Sequence, residues 1–195
     1  MHGLWPSTCS GQQTAANGCD VSRSYNNISA IISESNYTLF NEMNEYWGSY
    51  NGNNNEFWSH EWTKHGTCVS TLDPKCYDEP YEQHERVGEY FGAALALRSK
   101  YNLYAALEAK GIVPVDKSKQ MYSSSEAKDA IKSELGLDVV LKCRRGVLSE
   151  VRAWFHVIGG VGAVYVATSA FDKDSCVQFE YPRKAHDDMV AKTFD

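Results

Sequence analysis

At Gly136 the chain changes its chemical rhythm, and that change limits the folds open to it. Upstream, apolar residues recur at helical spacing: Val87, Tyr90, Phe91 and Ala94 fall at i, i+3, i+4 and i+7, the signature of a buried helix face. Downstream, residues 139–143, 147–158, 161–168 and 177–181 are rich in β-branched and aromatic side chains, with Gly146 and Gly159-Gly160 between them. That pattern predicts an antiparallel meander. Helices early and strands late predict an α+β architecture, an antiparallel β-sheet packed against several α-helices. At 195 residues, a single domain over 1–195 is expected.

Finer punctuation places the elements. Residues 1–20 read as the end of a strand followed by a Cys/Gly/Ser/Asn loop, and 23–34 and 36–47 as two short helices. Asn51-Gly52-Asn53-Asn54-Asn55 is a turn, and a third helix is expected over 56–66 with Gly66 as its stop. Pro74 and Pro80 bracket a loop. The helix carrying Tyr90 runs to about residue 100, and another covers 103–111. Ser123-x-x-Glu126 resembles a capping box opening a helix through Ala127, Ala130 and Ile131. The late strands need a partner near the start of the chain, and residues 1–5 are a poor remnant of one.

Composition narrows the function. The net charge is −6 with histidines neutral, and six protonated histidines would cancel it. A nucleic-acid binder is usually basic, because phosphates dominate affinity. This chain can bind RNA at acidic pH, or by stacking on some of its 5 Trp, 12 Tyr and 7 Phe. No stretch is long and apolar enough for a membrane span. Six cysteines without a C-x-x-C pair predict disulfides rather than zinc. The sequons Asn27-Ile28-Ser29 and Asn36-Tyr37-Thr38 agree with secretion and glycosylation. The chain shows no signal peptide, for which truncation is the simplest explanation.

The chemistry concentrates in Phe57-Trp58-Ser59-His60-Glu61-Trp62-Thr63-Lys64-His65-Gly66-Thr67-Cys68. On a helix, His60, Glu61, Lys64 and His65 share an arc of roughly 140°, with Trp58 and Trp62 pointing into the core. Imidazoles titrate near neutrality and exchange protons, and a lysine stabilises charge developing on a phosphorane. A glutamate orients an imidazole or steadies the transition state. The zinc-protease motif needs histidines at i and i+4, whereas these sit at i and i+5 and diverge. A charged, solvated helix face is the plainer alternative.

His2-Gly3-Leu4-Trp5-Pro6 adds a second segment. The two segments together closely resemble the active-site motifs of the acid ribonucleases of the T2 family, most of all its fungal branch. Weaker likeness reaches Leu148-Ser149-Glu150-Val151 and Phe155-His156-Val157. The resemblance implies an endoribonuclease that cleaves single-stranded RNA to 2′,3′-cyclic phosphates and then hydrolyses them, with no metal or other cofactor. It implies His65 as general base, His2 as general acid, His60 as phosphate ligand, and Glu61 and Lys64 as stabilisers of the pentacoordinate state. Trp5 would stack on the first base and Phe57 on the second. An acidic optimum follows if the acid and the phosphate-binding imidazole must both be protonated. The alternative is an impaired relative that binds RNA or a partner.

Several positions depart from the family pattern. Ser7 stands where an acidic residue commonly helps recognise adenine, Gln13 replaces an aromatic, and Trp47-Gly48-Ser49 stands for Trp-Pro-Ser. The first base site, with Ser7, and the second, with Gly48 and Ser49, are therefore expected to be altered. The resemblance pairs Cys19 with Cys68 and Cys143 with Cys176, leaving Cys9 and Cys76 without partners. Family members carry a central strand before the first motif. A chain lacking it is expected to fold poorly or act weakly, with His2 mobile. A monomer, secreted or vacuolar-lysosomal, is implied. His84, His156 and His186 read as structural or solvated, as does the Lys142-Arg144-Arg145 cluster.

Overall fold

The structure is a computed structural model that describes residues 1–76, 84–116 and 120–183. Backbone proximity divides the chain into two compact units. The first comprises Met1–Tyr101 with Val157–Val166, the second Asn102–His156 with the residues from Ala167 on.

The first unit is built on four helices: α1 (Ile28–Ser35), α2 (Tyr37–Tyr46), α3 (Asn54–Lys64) and α4 (Glu85–Lys100). Their apolar faces meet in a core that includes Ile28, Ile32, Met43, Trp47, Trp58, Trp62, Tyr90 and Phe91, all fully buried. Val87 and Ala94 join them, as their helical spacing predicts. Asn36 separates α1 from α2: its N–H closes α1 on the Ile32 carbonyl, and its side chain accepts from Leu39 N. α1 begins at Ile28 rather than at 23, because Asp20 caps a separate 3-10 turn, Val21–Arg23. Arg23 turns inward from it, bonding Asp20 and the carbonyls of Leu72 and Thr67.

α3 also differs from the expected 56–66. Asn53 caps it by accepting from Glu56 N, so Asn54 and Asn55 are helical rather than part of the turn. Their side chains then fasten the helix start: Asn54 accepts from Ser49 N, and Asn55 bonds both Ser29 N and the Asn26 carbonyl. The helix ends at Lys64. Gly66 is no left-handed stop: a Cβ there would lie 2.4 Å from Trp62 Cε3, so its smallness serves packing.

The second unit holds α5 (Leu103–Glu108), α6 (Ser124–Leu135) and most of a five-stranded sheet: β1 (Met121–Ser123), β2 (Val139–Arg144), β3 (Val147–Ile158), β4 (Val164–Thr168) and β5 (Gln178–Glu180). Ser123 caps α6 and Gly136 closes it, the punctuation read in the sequence. α5 stops at Glu108, short of Gly111. Mixed helices and sheet bear out the α+β class. The strand order corrects the meander, since it runs β1-β5-β3-β2 with β4 on β3. β2 and β3 pair antiparallel, as do β1 and β5, but β5 meets β3 in parallel. At three residues, β1 is too short to carry a readable alternation. β4 starts at Val164 rather than 161 because Gly159, Gly160 and Gly162 all take positive φ and turn the chain.

Residues 1–6 belong to no strand, against the expected remnant; only an isolated Ser7–Gln13 bridge forms nearby. The two disulfides are those the resemblance implies, Cys19–Cys68 in the first unit and Cys143–Cys176 in the second. Cys9 and Cys76 are exposed thiols. His84 is half-buried, edge-on to the Tyr25 ring at 4.5 Å, whereas His156 is exposed. Lys142 pairs with Asp172, which neutralises part of its basic cluster. Pro80 and His186 lie outside the described residues. Among the described residues, no helix is long and apolar enough to cross a membrane.

Candidate active site

Buried donors from the helices hold the first motif in place. Trp47 Nε1 donates to the His2 carbonyl at 2.7 Å, and the Tyr90 hydroxyl to the Leu4 carbonyl at 2.8 Å. Both donor side chains belong to the core, so losing either bond would strand a buried polar atom. The same logic fixes α3. Trp58 Nε1 donates to the Trp47 carbonyl and Trp62 Nε1 to the Arg23 carbonyl, which turns the tryptophans inward as their spacing predicts. Past the helix end, Cys19–Cys68 and the Arg23 bond to Thr67 hold the chain.

His2, Trp5, Glu61 and His65 meet between these anchors. Trp5 Nε1 donates to Glu61 Oε2 at 2.8 Å. The Trp5 ring stacks on His65 with centroids 4.8 Å apart, and meets His2 edge-on at 4.6 Å. Phe57 lies 6.1 Å from the His2 ring and the His60 ring 6.4 Å from His65. The divergence expected of residues five apart does not hold: His65 is the C-cap of α3, its N–H bonded to the Glu61 carbonyl, and its ring comes within 6.4 Å of the His60 ring. His60, Glu61 and His65 consequently bring their ligand atoms within 4.8 Å of one another, an arrangement that could hold either a cation or an anionic oxygen. Gly3 makes room for this cluster: a Cβ on it would fall 1.9 Å from Glu61 Oε2 and 2.5 Å from Trp5 Nε1.

Burial sets the charges. Glu61 is 1% exposed and His65 7%. Desolvation raises the Glu61 carboxyl to about 7, against the opposing pull of the Trp5 hydrogen bond and of Lys64. Desolvation lowers His65 to about 3, helped by the positive charges of Lys64, His60 and His2. His60, whose ring keeps an exposed side, is lowered as well, first by its partial desolvation and then by Lys64 and His2. His65 Nδ1 is buried with no hydrogen-bond partner, so proton exchange falls to Nε2.

The remaining candidates sit on flanking loops. Ser7 bridges Gln13, so the two departures from the family's first base site lie side by side. Gly48 and Ser49 directly follow Trp47. The Ser49 hydroxyl donates to Asn51 Oδ1 at 2.6 Å, which commits it to the loop. Helical spacing places Tyr90 in the core, and nothing in the sequence marks Arg23; a helical period cannot reveal that a core hydroxyl holds a carbonyl of the first motif. In the second unit, a cleft of about 360 Å3 includes Lys128, Lys132, Asp138 and Asp174, whose charges are spent on one another.

Comparison with known proteins now decides the family. The model of the ribonuclease T2 family matches residues 1–177. This chain belongs to the ribonuclease T2 family. It is an endoribonuclease of the T2 type, in a family whose substrate is RNA. Ribonuclease Rh of Rhizopus niveus is 45% identical over 94% of this chain and 75% of its own length. Ribonuclease M of Aspergillus phoenicis is 37% identical over 95% and 79%. Among solved structures, the T2 ribonuclease Actibind superposes with a TM-score of 0.86 at 37% identity, covering 95% of this chain and 79% of that one. A variant of ribonuclease MC1 in complex with 5′-GMP gives 0.64 at 26% identity, covering 92% and 83%.

Proposed function

We propose that this T2 ribonuclease cleaves single-stranded RNA by acid–base transphosphorylation without a metal. The observation that carries the reading is a buried, neutral His65 beside His60, with His2 packed edge-on against the same Trp5 ring. His65 Nε2 takes the 2′-hydroxyl proton, and the 2′-oxygen attacks phosphorus. His2 gives its proton to the departing 5′-oxygen, which leaves a 2′,3′-cyclic phosphate. Water then opens the cyclic ester with the two roles reversed. His60 binds a phosphate oxygen, and Lys64 stabilises the charge of the pentacoordinate state.

The charge states give the steps their conditions. In the free protein, burial first and then the repulsion of Lys64, His60 and His2 make His65 a weak base. A bound phosphate offsets that repulsion and strengthens the base once substrate is in place. Glu61, with its value near 7, carries its proton at acidic pH and donates a hydrogen bond to a phosphorane oxygen, while Trp5 holds its other oxygen. Trp5 and Phe57 border His2 and offer faces to the bases on either side of the scissile bond. Ser7, Gly48 and Ser49 shape the rims of these base sites.

A cation among His60, Glu61 and His65 is the competing reading. Metal-bound imidazoles normally donate their second N–H to an acceptor, and His65 Nδ1 has none. A lysine beside the cluster also opposes a cation there, and the Trp5 indole N–H already occupies one oxygen of the Glu61 carboxyl. The chain acts as a monomeric single catalytic domain, with every site residue in its first unit. Two disulfides and two sequons support a secreted or vacuolar-lysosomal setting. Digestion of poly-uridylate and poly-adenylate tests the mechanism. Wild type should release cyclic phosphates from both, and His65→Ala should lose about 10^3-fold in rate; equal rates for the two proteins would overturn the assignment.

A further inference from the structure

A second cleft starts at helix α3 and shares His60 and Lys64 with the reaction just derived, while its other walls take no part in that reaction. Its volume is about 600 Å3, within the range of ligand-sized sites. His60 and Lys64 line it together with Ser59, Asn17, Tyr25 and Asn26. We propose that this cleft is a third nucleotide subsite, which holds a further nucleotide of the RNA strand beyond the two that flank the scissile bond. The inference rests on the ribonuclease reading above and extends it from the scissile dinucleotide to a longer substrate.

Charge is the first reason. The chain has 25 acidic residues against 19 Lys and Arg, yet none of the residues lining this cleft is a carboxylate. Lys64 forms no ion pair among the described residues, so the ammonium that serves the reacting phosphate also lends this cleft its positive charge. A polyanion leaving the His60 phosphate position finds here a path lined by a cation and neutral polar groups. The second reason is unspent hydrogen-bonding capacity. The side-chain amides of Asn17 and Asn26 make no hydrogen bond among the described residues, and the Ser59 hydroxyl is buried without a partner.

The third reason is rigidity, which lowers the ordering cost of binding. The loop before Cys19 is pressed against α3: Gly18 has φ +83°, and a Cβ on it would lie 2.1 Å from the Thr63 carbonyl oxygen. Cys19–Cys68 fastens the same loop past the end of the helix. On the other wall, the Tyr25 ring lies parallel to Trp62 at 6.4 Å, and the Asn26 carbonyl accepts from Asn55 Nδ2 at 2.7 Å. The cleft is therefore formed before substrate arrives, with an aromatic edge and two amides suited to a base and a sugar–phosphate.

The test compares kcat/KM for the dinucleotide UpU with that for trinucleotides extended by one uridylate at either end. Wild type should favour one trinucleotide by about tenfold, the effect of one or two charge-assisted contacts. Asn17→Asp/Asn26→Asp should bring that ratio to about one, and Asn17→Lys/Asn26→Lys should raise it, both with UpU cleavage within about twofold of wild type. A wild-type ratio near one, or the same ratio in all three proteins, overturns the subsite. Failure of wild type to cleave any of these substrates would instead sink the ribonuclease mechanism. The subsite is then decided by affinity for the uncleavable deoxy trinucleotide over the deoxy dinucleotide, which should fall in the Asp pair and rise in the Lys pair.

Discussion

Glu61 and His65 stand four residues apart, and burial drives them in opposite directions, to about 7 and about 3. The Glu61 carboxyl holds its proton more tightly when folded. Its stabilising contribution is complete below 4.5 and is lost as pH rises through 7. The His65 imidazole holds its proton less tightly when folded. Its contribution is complete above 6.5 and is lost as pH falls through 3. The two slopes therefore oppose each other between pH 4.5 and 6.5. Glu61→Gln should leave only the histidine slope, so its Tm should climb across that window more steeply than that of wild type; parallel calorimetric curves would contradict the assigned burial. Gly3→Ala offers a steric counterpart. Its new methyl falls on Glu61 Oε2 and Trp5 Nε1, so kcat should drop at least about tenfold while the urea midpoint moves little. Motif and spacing singled out His2, Trp5, His60, Glu61, Lys64 and His65, and the structure gathers the rings of His2, Trp5, His60 and His65 with the Glu61 carboxyl. Motif and spacing could not reveal that Glu61 and His65 are buried while His60 is exposed, because burial depends on where a chain-distant indole, Trp5, comes to rest.

α3 was legible as a helix, but its ends were not. The asparagine run reads as a turn by propensity, yet one asparagine caps the helix and the next two fasten it to α1 and to the Ser49 loop. Asn53→Ala should cost about 1 kcal/mol of stability, the usual value for a lost N-cap. At the other end, Cys19–Cys68 closes a separation of 49 residues, worth about 4 kcal/mol in the chain-entropy picture. Cys19→Ser/Cys68→Ser should lower the urea midpoint accordingly, and should raise KM for trinucleotides more than for dinucleotides, since the bridge also fastens one wall of the proposed subsite. The strands show the opposite pattern. β2, β3 and β4 announced themselves through β-branched runs, whereas β1 and the parallel contact of β5 depend on pairings that no local period encodes.

At the scale of the whole chain, a net charge of −6 opposes a polyanionic substrate at neutral pH. Protonating histidines relieves that opposition. In the proposed mechanism the lowered His60 must also be protonated to hold phosphate, and Glu61 must keep its proton below about 7. The rate profile should therefore be a bell on the acidic side of neutrality. It should fall on the low side as His65 gains a proton and on the high side as His60 and Glu61 lose theirs. The α+β class was legible from the break at Gly136; the division into two units was not, since residues 157–166 belong with the first one despite lying in the strand-rich half. The most direct measurement is product analysis of UpU cleavage at pH 5 with excess EDTA. The account predicts uridine 2′,3′-cyclic phosphate and uridine as first products, with the chelator without effect. Cleavage abolished by EDTA, or products without a cyclic phosphate at early times, would contradict it.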